Sequence, residues 1–65
     1  MTPEEKFDML KTLLGRGIEV RTLYKSRRVI SVENAGRYVL IRYEYGGIDK
    51  IHMRDFGRRR FVAVI

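Results

Sequence analysis

The sequence contains no cysteine, so neither a disulfide nor a thiolate metal site can supplement its core. No apolar run approaches the ~18 residues of a membrane span. Met1-Thr2-Pro3-Glu4-Glu5 lacks the basic start of a secretory leader. Internal repeats, low-complexity tracts and linkers are also missing, and His52 is the single histidine. The expectation is one soluble, cytoplasmic domain that holds no cofactor and no metal. At 65 residues that domain is marginal, because a chain of this size buries only about 60% of the surface its unfolded form exposes. Oligomerisation is the remaining way to enlarge the core.

Apolar residues make up 45% of the chain, with four tyrosines and three phenylalanines, too many for a disordered polypeptide. The charge is lopsided. Glu4, Glu5 and Asp8 stand against Lys6 and Lys11 in the first turns, a net of minus one. From Arg16 onward 12 Lys and Arg oppose 5 Asp and Glu, a net of plus seven. A surplus of that size on a small body attracts polyanions before any specific contact forms, and nucleic acid is the first partner to consider.

Thr2-Pro3-Glu4-Glu5 has the form of a capping box with proline at the first helical position. Phe7, Leu10, Leu13 and Leu14 follow at helical spacing and Gly15-Arg16-Gly17 is a stop, which predicts a helix over 3–14. The period then changes to two. Strands are expected at about 18–24, 28–33, 37–45, 48–55 and 60–65, with turns at Lys25-Ser26-Arg27-Arg28, Asn34-Ala35-Gly36 and Gly46-Gly47 and a basic connection through Arg58-Arg59-Arg60. The fold class is mainly β (α+β): a helix followed by a five-stranded, strongly bent antiparallel sheet, closed or nearly closed.

Parity tests the hairpin around Gly46-Gly47. A two-residue loop mixes apolar and charged residues on each face. A three-residue loop, Tyr45-Gly46-Gly47, pairs Ile41 with Ile51 and Val39 with Met53. It places Val39, Ile41, Tyr43, Ile51 and Met53 in the core, and Tyr38, Leu40, Arg42, Lys50, His52 and Arg54 on one outer face. Around Asn34 the register stays open, since Ile30 and Val32 compete with Val29 for the inside.

This layout resembles the Sm-like small barrel, in the pattern of the bacterial Sm-like RNA chaperone Hfq. Tyr38-Val39-Leu40-Ile41 is similar to that family's apolar third strand. His52-Met53-Arg54-Asp55-Phe56 stands where the family carries a short basic, His-containing segment before its last strand. The family's glycine in a bent second strand has no counterpart in Val29-Ile30-Ser31-Val32-Glu33, nor its acidic residue in Asn34-Ala35-Gly36. The resemblance implies a small barrel and favours RNA over DNA.

Two groups carry the candidate chemistry. Lys25, Arg27 and Arg28 with Arg58, Arg59 and Arg60 form two basic turns suited to phosphate neutralisation; their bland role is to solvate turns and shield strand edges. Tyr38, Arg42, Lys50, His52 and Arg54, with Leu40, compose a cation-flanked stacking platform, or else a second small core with Phe7 and Leu10 over Leu40. Phe61, Val62, Val64 and Ile65 form an apolar terminal strand, either an intersubunit strand or one closing its own barrel. Tyr43 and Tyr45 read as core and hairpin tip. His52 has no HxxE, Ser/His/Asp or metal-ligand companion, so the expectation is a non-enzymatic regulatory nucleic-acid-binding module. The alternatives are an inhibitor or adaptor docking an acidic protein patch, of the phage or plasmid accessory kind, and a small ribonuclease toxin with His52 as base, Arg42 or Arg54 steadying the phosphate and Glu44 as a distant acid.

Overall fold

A computed structural model describes residues 1–65. Helix α1 spans Pro3–Gly15, followed by β1 (Glu19–Thr22), β2 (Arg28–Ala35), β3 (Tyr38–Tyr43), β4 (Ile48–His52), the short α2 (Met53–Phe56) and β5 (Phe61–Val64). The five strands form one antiparallel sheet in the order β4-β3-β2-β1-β5.

The capping box forms as expected. Thr2 Oγ1 accepts from the Glu5 amide at 3.1 Å and the Glu5 carboxylate accepts from the Thr2 amide at 2.8 Å. Hydrogen bonding from Thr2, its backbone amide first, favours the charged form and holds the Glu5 carboxyl below the usual carboxylate range. The helix closes in a Schellman arrangement, with Ile18 N–H donating to Leu13 C=O at 3.1 Å and Gly17 N–H to Leu14 C=O at 3.0 Å. Phe7 and Leu10 turn onto the sheet, where they join Val20, Val29, Val32, Val39, Ile41, Tyr43, Met53 and Phe56 in a single core. Phe7 meets Phe56 edge-on at 6.2 Å. Leu40 lies on the opposite face of β3, so the helix covers the inner side of the sheet and builds no second core over Leu40.

The β3–β4 hairpin keeps the expected faces but not the expected pairs. Ile41 stands opposite Asp49 and Val39 opposite Ile51. The loop is Glu44-Tyr45-Gly46, closed by Tyr43 N–H donating to Gly47 C=O at 2.9 Å. Gly46, at φ +100°, supplies the left-handed residue. The slip is even, so Val39, Ile41 and Tyr43 still point inward.

In β2 the competition between Val29 and Val32 ends with both inside. A bulge between Val29 and Ser31 inserts one extra residue; Ile30 is pushed to the surface, and the strand bends without a glycine.

Two expectations are corrected. First, β4 stops at His52, and 53–56 is a helical turn instead of strand. An extended chain would bury Met53 with Asp55 and expose Phe56; helical spacing buries Met53 and Phe56 together, leaving Phe56 with no exposed surface. Second, of the closed or nearly closed sheet expected, full closure is not reached, since the edges β4 and β5 do not pair. The sheet nevertheless curls. The edges of a flat five-stranded sheet lie roughly 19 Å apart, yet Arg59, just before β5, reaches Asp49 on β4 at 3.7 Å.

Candidate nucleic-acid interface

β1 is the strand that assembles the site. It pairs with β2 on one side and β5 on the other, with Thr22 opposite Phe61. Past that pair, Leu23 N–H donates to Arg60 C=O at 3.0 Å. The turn 23–26 and the connection 57–60, distant in sequence, thereby become the two walls of one cleft of about 600 Å³. Lys25 and Arg27 line one wall and Arg58, Arg59 and Arg60 the other.

Each wall is held by specific bonds. Thr22 Oγ1 donates to Tyr24 C=O at 2.6 Å and accepts from Arg27 N–H at 3.0 Å, and Arg21 donates to Ser26 C=O at 2.8 Å. Lys25 and Ser26 are thereby kept at φ +66° and +50°, left-handed conformations costly for residues with a Cβ. Such strain recurs at functional turns. Opposite, the Lys6 ammonium donates to Arg59 C=O and, at 3.4 Å, to Gly57 C=O, tying the connection to α1. Burial, and then the Arg60 charge, lower its pKa from the usual lysine value.

The cleft has one carboxylate. Asp49 Oδ2 accepts from the Tyr43 hydroxyl at 2.7 Å and lies 3.7 Å from the Arg59 guanidinium, while Oδ1 accepts no hydrogen bond from the chain. Tyr43 is pushed up to about 12 by burial first and by its bond to Asp49 second. Tyr45 stacks on Tyr43 at 5.6 Å with 14° between the rings. Its ring lies where a Cβ on residue 47 would sit, so Gly47 makes room for the stack. Arg27 caps the pile, 5.0 Å from the Tyr45 centroid and donating to its hydroxyl at 3.1 Å.

Ion pairing separates the cations. Arg21 pairs with Glu19 and holds that carboxyl below its usual range, Arg28 pairs with Glu44 at 3.4 Å, and Arg59 with Asp49. Lys25, Arg27, Arg58 and Arg60 have no acidic partner. Four unpaired cations thus surround the cleft.

The remaining expected residues form a second patch on the other face of β3–β4. Tyr38 stands opposite His52, rings edge-on at 5.7 Å, with the Lys50 ammonium 4.8 Å over the tyrosine. Arg42 is exposed on the same face, beside Ser31 and Ile48. Arg54 leaves this face, because it belongs to α2, and Arg28 turns outward from the sheet toward Glu44. His52 caps α2: its Nδ1 accepts from Arg54 N–H at 3.1 Å. The expected set is therefore divided between a cleft and an outer patch. In β5, Phe61 packs against Phe56 at 5.6 Å, whereas Val62, Val64 and Ile65 are exposed along the free edge.

Tyr24 and Asp49 are members of the cleft absent from the expected set. Asp49 had a signal: its parity places a carboxylate on the face shared by Tyr43 and Ile51. Tyr24 had only its position beside Lys25.

Comparison with known proteins yields no matching family model, no matching curated protein and no matching solved structure. The geometry of the cleft carries the functional reading.

Proposed function

We propose that this chain is a small, non-enzymatic regulatory module that binds nucleic acid, single-stranded RNA in preference to DNA, through the cleft between turn 23–26 and connection 57–60. The observation behind this reading is the convergence of Lys25, Arg27, Arg58 and Arg60, none matched by a carboxylate. Guanidinium groups fork onto phosphate oxygens, and their electrostatic gain is realised with any phosphodiester strand. The outer patch of Tyr38, Arg42, Lys50 and His52 is a secondary contact for the same strand. The Sm-like resemblance favours RNA, and the strand order β4-β3-β2-β1-β5 with α1 on one face is compatible with such a small barrel-like arrangement. The free edge carrying Val62, Val64 and Ile65 supports self-association through β5.

The test is retention of a short single-stranded oligoribonucleotide at two salt concentrations. Four neutralised phosphates give a slope of log affinity against log salt of roughly −3, at ~0.7 per contact. Replacing Arg58, Arg59 and Arg60 with Glu abolishes binding. Absence of binding at low salt overturns the reading, and a pull-down insensitive to nuclease assigns the basic surface to an acidic protein partner.

A further inference from the structure

Within the cleft, three observations go beyond generic attraction of phosphate, and they deepen the nucleic-acid reading, on which they rest. The first is size. About 600 Å³ lies within the ~300–1,000 Å³ typical of small-ligand sites, room for a nucleotide and too little for a duplex. The second is Tyr24, at the rim and 77% exposed. The Lys25 ammonium lies 5.3 Å from the Tyr24 ring centroid and so occupies one face, which leaves the other for a planar group.

The third is Asp49. A surface built only to hold phosphates gains nothing from a carboxylate, which repels them. The arrangement is favourable when the ligand also brings a hydrogen-bond donor. Asp49 Oδ2 is held by Tyr43 and Arg59, which fixes the carboxylate and leaves Oδ1 without a partner among the cations. Nucleotides supply both requirements, with phosphate oxygens on one side and a sugar hydroxyl or base amine on the other.

We infer that this cleft seats one nucleotide unit, its phosphate between Arg58 and Arg60, its base on the open face of Tyr24, and a hydroxyl or amine of the ligand donating to Asp49 Oδ1. The unit is shared by a free nucleotide and by one residue of a strand. The turn 23–26, kept in its left-handed form by Thr22 and Arg21, is the device that holds Tyr24 at the rim.

The experiment uses the intact chain with three probes: a labelled mixed-sequence oligoribonucleotide, an abasic strand of equal charge as competitor, and adenosine 5′-monophosphate in an amide chemical-shift titration. The oligoribonucleotide binds at least about fivefold more tightly than the abasic strand, and Tyr24→Ala removes that advantage while leaving abasic binding unchanged, the size of one lost stacking contact. Asp49→Ala, which removes the acceptor, shrinks the advantage of the oligoribonucleotide over the abasic strand when the donor is a base amine and weakens both strands when it is a sugar hydroxyl; affinities unchanged for both strands overturn the Asp49 contact. The mononucleotide shifts the amides of Tyr24, Asp49 and Phe61. Equal binding of both strands with no effect of Tyr24→Ala overturns the nucleotide seat and leaves the nucleic-acid reading intact. Mononucleotide shifts without strand binding keep the seat, assign it to a free nucleotide and overturn the nucleic-acid reading. Neither strand binding nor shifts overturns both.

Discussion

The Tyr43 hydroxyl donates to Asp49 Oδ2 at 2.7 Å, joining the end of β3 to the start of β4 beneath the cationic cleft. Tyr43 is buried, whereas Asp49 stays partly open to the cleft, so removing the hydroxyl takes a donor from a carboxylate that solvent reaches only in part. Tyr43→Phe costs about 1.5 kcal/mol in denaturant unfolding, the scale of a lost hydrogen bond to a charged group.

The same pair sets an alkaline limit. A tyrosine raised from its ordinary value of about 10 to about 12 favours the folded state at all pH values below the unfolded value. That contribution is lost as pH rises from about 10 to 12, where the unfolded chain has released the proton and the folded one still binds it. Ultraviolet titration of phenolate shows one of the four tyrosines ionising last. In Tyr43→Phe the late step disappears. A late step that survives in that variant contradicts the assignment.

Arg58→Ala reduces the magnitude of the salt slope of RNA binding by roughly 0.7, whereas Arg42→Ala, on the outer patch, changes it by less. Affinities measured across a salt series compare the two. An equal or larger loss in Arg42→Ala moves the main site to the sheet face.

Ser26→Gly stabilises the fold by about 1 kcal/mol, since glycine accepts φ +50° without a Cβ conflict. Chemical denaturation reads the gain. Oligoribonucleotide binding is unchanged, because the bonds that hold Tyr24 at the rim reach only the main chain of residue 26.

The bulge in β2 separates two neighbouring valine-and-isoleucine positions sharply. Val32→Ala costs about 2 kcal/mol, and Ile30→Thr stays within about 0.5 kcal/mol, because only Val32 is buried. Equal costs would place Ile30 inside.

Val64→Lys leaves the monomer folded and prevents association through the β5 edge, since charge on a free strand edge blocks pairing with another. Sedimentation velocity over a concentration series checks this. A wild-type chain that stays monomeric throughout removes β5 as an assembly edge.

Local chemistry made much of this molecule legible from its residues. Thr2 and Glu5 announce the helix, and two-residue parity sorts Val39, Ile41 and Tyr43 from Tyr38 and Arg42 even though the loop lies one position earlier than its glycines indicate. Non-local and unmarked features were hidden. The Val29/Ser31 bulge carries no glycine, and the turn at Met53 shares its residues with a plausible strand. The meeting of Lys25 and Arg27 with Arg58 and Arg60 depends on β1 pairing with β5, which no short window contains. Asp49 enters the cleft because alternation along β4 sends it inward and Lys50 outward.

The width of the cleft is set by the Leu23 amide meeting the Arg60 carbonyl, a main-chain bond indifferent to the side chains on either wall. Recognition and architecture are therefore separable in this small fold. Exchanging the residues that line the crevice changes which ligand is accepted without rebuilding the scaffold, so a neutral or acid-lined version would retain the same shape while preferring a different guest.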